Sequence, residues 1–157
     1  MGMWLTGPRF WPGLGLLVAG ELVRLWAVGH IGLPSRTREV DVGPLVDTGP
    51  YGRVRNPLYI GNILIWAGFG LWCWPWVWLI VPASAWYYSR IVAWEEQNLR
   101  AQLGAPYLSY LERVPRWWPR LRGPPGDWSA TKALRTERST LLTLAVSLLA
   151  LGLRAGL

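Results

Sequence analysis

Long apolar runs separated by polar segments dominate the chain. The first run, 10–33, would be about 36 Å long as a helix, which is enough to cross a membrane with some tilt. The stretch 56–89 has no Asp, Glu, Lys, Arg or His, and as one helix it would reach about 50 Å, too long for a single crossing. We therefore predict a hairpin of two spanning helices, 57–73 and 75–94, which breaks at Pro75.

A last apolar run, 139–153, would be only about 22 Å long as a helix. It could span the bilayer if Arg138 and Arg154 reach towards the headgroups, or it could lie along the interface. We favour a crossing. The predicted fold class is therefore all-α, an integral membrane helical bundle of about four transmembrane helices in a single domain, 1–157.

Basic residues are concentrated in the polar segments between these runs. The segments 35–56 and 90–138 hold thirteen of the sixteen Lys and Arg residues, whereas the hairpin tip holds none. Because loops rich in Lys and Arg stay on the cytoplasmic side, we predict that both loops, 34–56 and 95–138, face the cytoplasm. The four tryptophans of the tip, 72–78, are expected to anchor at the interface, with a ligand cage as the alternative.

Composition supports a membrane protein. Of the 157 residues 52% are apolar and 16% are charged, against about 25% charged in an ordinary soluble domain. The net charge of +7 could indicate nucleic-acid binding, but no basic folded module is visible beside the apolar runs, so we attribute the charge to the loops. A single cysteine, Cys73, and a single histidine, His30, exclude an internal disulfide and a cysteine or histidine-rich metal site.

The first apolar run carries two charges. Glu21 and Arg24 are three residues apart and share one face of a helix. Charged groups inside a membrane are costly and usually face a partner or an interior cavity. Two interpretations stay open: a buried ion pair that only fixes packing or, as we favour, a pair that lines a pocket.

The richest chemistry lies in the loop before the hairpin. The stretch 48–61 reads Thr-Gly-Pro-Tyr-Gly-Arg-Val-Arg-Asn-Pro-Leu-Tyr-Ile-Gly, and Glu95-Glu96 return to the same surface on a helix that should continue to Gly104. Turn N–H groups can hold a carboxylate or phosphate, and a carboxylate can accept both hydroxyls of a ribose. No G-x-G-x-x-G motif follows a strand and no P-loop is present, so we expect no Rossmann domain.

The loop and the acidic pair resemble a known family in their order and spacing. The residues that carry the resemblance are Glu21, Arg24, Gly49-Pro-Tyr51, Arg55-Asn-Pro-Leu-Tyr-Ile-Gly61 and Glu95-Glu96 with Leu99. They are similar to motifs of the isoprenylcysteine carboxyl methyltransferases and their relatives, the phospholipid methyltransferases. The resemblance covers residues 20–116 and implies a multi-helix membrane enzyme that uses S-adenosylmethionine.

The resemblance also implies which residues hold S-adenosylmethionine, whose product is S-adenosylhomocysteine. These residues are Arg36, Gly43, Pro44, Leu45, Val46, Tyr51, Arg55, Asn56, Pro57, Leu58, Tyr59 and Glu95. The family usually has His where this chain has Asn56. Asn cannot carry a proton charge, so we expect no general base at this position.

We expect a lipid-like acceptor that enters from the bilayer. A carboxylate acceptor of the isoprenylcysteine type, which we favour, needs a cation to orient it, and Arg24 or Arg90 could serve. An amine headgroup must instead lose a proton, for which Glu21 or Glu96 is the candidate, unless Glu96 is only a solvated surface charge. Ile91 stands where the family has a substrate-contacting arginine, so the acceptor can differ from prenylcysteine. A non-catalytic membrane protein on the same fold is the alternative from another class.

Overall fold

The computed structural model describes residues 7–31 and 43–154, and within these ranges it has five α-helices and no strand. The helices are α1 (Phe10–Ile31), α2 (Pro57–Trp72), α3 (Val77–Leu103), α4 (Ala105–Arg113) and α5 (Ala130–Arg154). The all-α prediction is therefore confirmed. The predicted first run, 10–33, agrees with α1 as far as Ile31, and its last two residues lie outside the described ranges.

Facing glycines bring α1 and α2 into close contact. A Cβ on Gly20 would lie 2.6 Å from the carbonyl oxygen of Gly61, and a Cβ on Gly68 would lie 2.6 Å from that of Gly13. Side chains do not fit at such distances, so the two helix backbones touch directly. This contact places the beginning of α2, and the loop before it, against the second half of α1.

The predicted hairpin is formed by α2 and α3. The first helix ends at Trp72 and the second begins at Val77, so the break contains Pro75 as expected. From there α3 continues through Pro82 to Leu103 as one helix. It ends at Gly104, whose φ of +58° lies in the left-handed region that favours glycine. The long α3 carries Glu95 and Glu96 back towards the start of α2.

Only α1, among the described helices, is both long and apolar enough to cross a membrane on these two criteria alone. The apolar α2 has 16 residues, fewer than the roughly 20 that a span usually needs. The last helix begins at Ala130 instead of at the predicted 139. The polar residues before the apolar run pack against α1 and form additional helical turns. A bundle of four spanning helices is thus not confirmed by this test.

The segment between α4 and α5, residues 114–129, is called the connector, and it lies across residues 43–56, called the glycine loop. Three backbone hydrogen bonds join them: Gly49 N to Pro124 O at 2.9 Å, Arg120 N to Arg53 O at 3.0 Å, and Arg55 N to Pro115 O at 2.9 Å. Ser129 N then donates to Gly29 O of α1 at 3.0 Å. The glycine loop is therefore held between α1 and the connector.

Candidate functional site

Tight turns shape the glycine loop. Tyr51 N donates to Thr48 O at 3.1 Å, and Val54 N donates to Pro50 O at 3.0 Å. Gly49 has a φ of +58°, and a Cβ there would collide with the ring of His30 in α1. This position needs glycine both for its backbone conformation and for space.

The aromatic core beside α4 holds the same loop from its other side. Tyr110 Oη donates to the carbonyl oxygen of Tyr51 at 2.9 Å, and Leu45 packs against the core of Tyr107, Tyr110 and Val114. Burial, followed by the charge of Glu96, raises the pKa of Tyr107 to about 12, so its hydroxyl stays protonated at neutral pH. The contacts of these two α4 tyrosines are those of packing residues.

Glu95 faces α2 and contacts Tyr59. Tyr59 Oη donates to Glu95 Oε1 at 2.6 Å, and the Tyr59 ring lies 5.3 Å from that of Tyr88. Glu95 is half-buried, and its burial raises the pKa of the carboxyl while the hydrogen bond from Tyr59 partly opposes this. Within the described residues, no hydrogen bond is seen at Glu95 Oε2, which leaves this oxygen for a ligand.

Glu96 points in another direction and is the centre of an ion-pair group. The loop cluster consists of Arg55, Glu96 and Arg116: Arg55 Nη1 donates to Glu96 Oε1 at 2.9 Å, and Arg116 contacts both carboxylate oxygens. Glu96 is 3% exposed, so the alternative of a solvated surface charge is wrong. Because arginines occupy both oxygens, the carboxylate is placed to fix the loop and the connector to α3 and is poorly placed to take a proton from a substrate.

The hydroxyl of Tyr51 is buried and, among the described residues, has no hydrogen-bond partner. Burial is the main cause that raises the pKa of this hydroxyl well above its usual value, and the charges of Tyr110 and Glu95 raise it further. An unsatisfied buried donor normally indicates a missing partner such as water or a ligand.

The two charges of α1 belong to a larger group inside the helices. The bundle cluster consists of Glu21, Arg24, Asn62, Glu137 and Thr140. Arg24 Nη2 lies 2.6 Å from Glu137 Oε2 and 3.3 Å from Thr140 Oγ1, and Arg24 Nε lies 3.4 Å from Glu21 Oε2. Arg24 Nη1 also donates to Asn62 Oδ1. One guanidinium therefore ties α1, α2 and α5 together.

Both interpretations of the Glu21–Arg24 pair find support in this geometry. The pair is buried and fixes packing, and Glu21 also lines a cleft of about 190 Å³ between α1 and α5. Every other residue that lines this cleft is apolar, including Leu14, Leu144 and Leu148. The cleft suits an apolar chain with a polar group at the carboxylate.

The remaining predicted residues are placed as follows. Asn56 is buried and its Nδ2 donates to Arg116 O at 3.3 Å, and Pro57 is buried in the first turn of α2. Val46 and Leu58 are half-buried. Three residues are exposed: Gly43, Pro44 and Arg90. Arg36 lies outside the described residues. The structure thus gathers Tyr51, Arg55, Asn56, Tyr59, Glu95 and Glu96 around one end of α2, and Arg90 has no described ion pair there.

Sequence reasoning missed Asn62, Arg116 and Glu137. Glu137 was assigned to the polar loop before the last run, although a buried Arg24 needs an opposite charge somewhere. The need of a buried arginine for a carboxylate partner was the signal that could have pointed to Glu137. The sequence offers several carboxylates, however, and nothing in the spacing selects one that is 113 positions away.

Comparisons with known proteins agree with the motif resemblance. A family model described as phospholipid methyltransferase matches residues 8–105, which is more than half of the chain. A search of curated proteins found no match, and a search of solved structures likewise found none. The matched segment contains α1, the glycine loop, the hairpin and the Glu95–Glu96 pair. The chain belongs to the phospholipid methyltransferase family.

Proposed function

We propose that the protein transfers a methyl group from S-adenosylmethionine to the headgroup amine of a membrane phospholipid. The observation that carries the proposal is the half-buried carboxylate of Glu95, held by Tyr59 at the start of α2, together with the unpartnered buried hydroxyl of Tyr51 in the loop before that helix. Membership of a methyltransferase family gives these two groups a ligand class.

The chemistry of these side chains fits S-adenosylmethionine. Glu95 Oε2 is free among the described residues to accept hydrogen bonds from ribose hydroxyls, and Tyr59 fixes the carboxylate through Oε1. The hydroxyl of Tyr51 offers a donor, and the turns of the glycine loop offer backbone N–H groups. Once bound, the cofactor supplies an electrophilic methyl group. These residues therefore only need to hold and orient the cofactor and to exclude water from it.

We place the apolar parts of α1, α2, α3 and α5 in the bilayer, with the glycine loop and the connector on the cytoplasmic side. Large apolar side chains are exposed on these helices, among them Leu22, Leu79, Trp86 and Leu149. Exposure on this scale suits a lipid-facing surface better than water. An acceptor could then approach laterally, with its chains along the cleft between α1 and α5.

Several contacts favour an amine acceptor over the carboxylate that we expected from the sequence. A carboxylate needs an orienting cation, but Arg24 already contacts Glu21, Glu137 and Asn62. The other candidate, Arg90, lies exposed on α3 and does not line the cleft between α1 and α5 that we assign to the acceptor. The isoprenylcysteine type remains a second candidate, because the motif from Gly49 to Gly61 resembles both groups.

An amine acceptor must lose a proton before or during attack, and we assign this proton to Glu21. Both oxygens of Glu96 are held by Arg55 and Arg116. Glu21 is paired with Arg24 at the longer distance of 3.4 Å, and it lines the apolar cleft, where an acceptor headgroup could meet it. A carboxylate next to a reacting amine can act as general base if its proton can leave along the headgroup region.

The proposal is tested by supplying purified protein in lipid vesicles with methyl-labelled S-adenosylmethionine and separating lipid, protein and small-molecule products. We expect label in the phospholipid fraction, and loss of both labelling and cofactor binding in Glu95→Ala. Glu112→Gln is the matched control, since Glu112 is an exposed carboxylate on α4. Label in a prenylated carboxyl ester would favour the second candidate. Cofactor binding without turnover on any acceptor would favour a non-catalytic protein on the same fold.

A further inference from the structure

A second cleft lies on the other side of α2 from Tyr59 and Glu95. It has a volume of about 250 Å³ and lies between α1, the glycine loop, the start of α2 and the connector. Pro57 and Ile60 line it from α2. Tyr59 is two positions after Pro57, about 200° around the helix, so it points away from this cleft. We call it the basic cleft, since Arg53 and Arg120 are its charged lining residues.

The charge of the basic cleft is one-sided. None of its described lining residues is Asp or Glu, so both guanidinium groups act without a carboxylate in the cleft. The Arg53 guanidinium lies 5.2 Å from the centre of the Trp26 ring, which holds it by a cation–π contact. Its Nε is buried and, among the described residues, lacks a hydrogen-bond acceptor. The Arg53 guanidinium therefore has no carboxylate partner among the described lining residues, and its charge can meet an anion in the cleft.

The rim of the basic cleft is suited to a membrane surface. Leu121, which lines the cleft, is 94% exposed, and the nearby Trp118 is 85% exposed. Arg120 and Arg122 flank Leu121 in the connector. Alternating exposed apolar and basic side chains enter the headgroup region of a bilayer, where arginines meet lipid phosphates.

We propose that the basic cleft binds the phosphate of an anionic phospholipid headgroup, on the other side of α2 from Tyr59 and Glu95. Arg53 and Arg120 would donate to the phosphate, and the apolar lining from Val23, Ile60 and Leu121 would contact the glycerol and the upper acyl chain. An amine-bearing headgroup fits less well, because its ammonium would meet two arginines and no carboxylate. The proposal needs a membrane-associated protein but does not depend on methyl transfer.

The test measures binding of dioctanoyl phosphatidylglycerol to the purified full-length protein in detergent, with dioctanoyl phosphatidylcholine and inorganic phosphate as comparison probes. We expect the anionic lipid to bind, and the affinity to fall about tenfold or more in the double variant Arg53→Gln/Arg120→Gln. Arg100→Gln is the matched control, an exposed arginine on α3 that does not line the cleft. It should bind as the unchanged protein does.

A second variant covers the chance that loss of Arg53 disturbs the glycine loop. Ile60→Phe keeps both arginines and fills part of the cleft, and it should weaken lipid binding while the helical circular dichroism is unchanged. Equal binding of phosphatidylcholine, or equal loss in Arg100→Gln, would show a general basic surface and overturn the proposal. Binding of inorganic phosphate as tight as that of phosphatidylglycerol would show a free-phosphate site and overturn the lipid assignment.

Discussion

The bundle cluster and the loop cluster use the same two kinds of side chain in opposite proportions. In the bundle cluster, Arg24 contacts the carboxylates of Glu21 and Glu137. In the loop cluster, the single carboxylate of Glu96 contacts Arg55 and Arg116. Each cluster joins segments that are far apart in the chain, so both work as cross-links between elements.

The two clusters differ most in their access to solvent. The Glu137 side chain is fully buried and that of Arg24 is 11% exposed, whereas that of Arg116 is 40% exposed. Water can replace a lost partner at the surface but not among packed helices. The comparison therefore predicts that equal chemical changes cost more stability in the bundle cluster than in the loop cluster.

Removal of the central guanidinium should have the largest effect. Arg24→Met takes away the cation that both Glu21 and Glu137 contact, and we expect a loss of about 3–5 kcal/mol in the free energy of unfolding. Chemical unfolding in detergent micelles, followed by circular dichroism, measures it. The control Arg90→Met changes an exposed arginine and should stay within about 0.5 kcal/mol. If Arg24→Met lost no more unfolding free energy than Arg90→Met, the bundle cluster would not stabilise the fold.

The second prediction displaces the same guanidinium without changing it. A Cβ on Gly61 would lie 2.6 Å from Arg24 Cγ and 2.7 Å from the carbonyl oxygen of Gly20. Gly61→Ala should therefore push α2 away from α1 and cost about 1–3 kcal/mol of unfolding free energy. Gly15→Ala is the matched control, because a Cβ on Gly15 meets no atom within 4 Å. Equal stability of the two variants would show that the helix contact tolerates the extra atom.

The third prediction concerns the more exposed cluster. Arg116→Gln leaves the Arg55–Glu96 ion pair intact, and solvent reaches the position, so we expect a loss of about 1 kcal/mol or less. Thermal unfolding in the same micelles measures it, with Arg100→Gln on the exposed face of α3 as the control. A loss as large as that of Arg24→Met would break the comparison, because burial would then not explain the difference between the clusters.

The contrast also shows which contacts could be predicted from the sequence. Runs without charge predicted the hairpin and its break near Pro75, because the length of a helix follows directly from its residue count. The partners within the clusters could not be predicted in this way. Glu95 and Glu96 were expected to return to the surface of the glycine loop, but the sequence did not assign their separate partners. One residue along a helix turns a side chain by about 100°, so they face Tyr59 and Arg55 respectively.

The last helix shows the same limit. Its start at Ala130, before the predicted 139, places Glu137 inside a helix that packs on α1. An apolar pattern indicates where a chain can enter the bilayer. It does not indicate how many of the polar residues that precede the apolar run are also helical. That extension depends on a tertiary partner, Arg24, which only the folded arrangement brings close.

The smallest expected effect belongs to Glu95, which lies beside the loop cluster but outside its ion pairs. Burial raises the pKa of this carboxyl in the folded protein, so its contribution to the stability of the ligand-free protein is greatest in acid and is lost as pH rises through the folded pKa. Binding of S-adenosylmethionine should change in the opposite direction, because the ionised carboxylate accepts hydrogen bonds and the protonated one does so less well. Between pH 4.5, the ordinary value for this group, and neutrality, the Glu95 contribution to the melting temperature should fall slightly while cofactor affinity rises. Calorimetry with and without cofactor measures both trends, and Glu95→Gln should abolish both. Parallel trends, or trends that persist in Glu95→Gln, would assign the titration to another group and remove Glu95 from the proposed cofactor site.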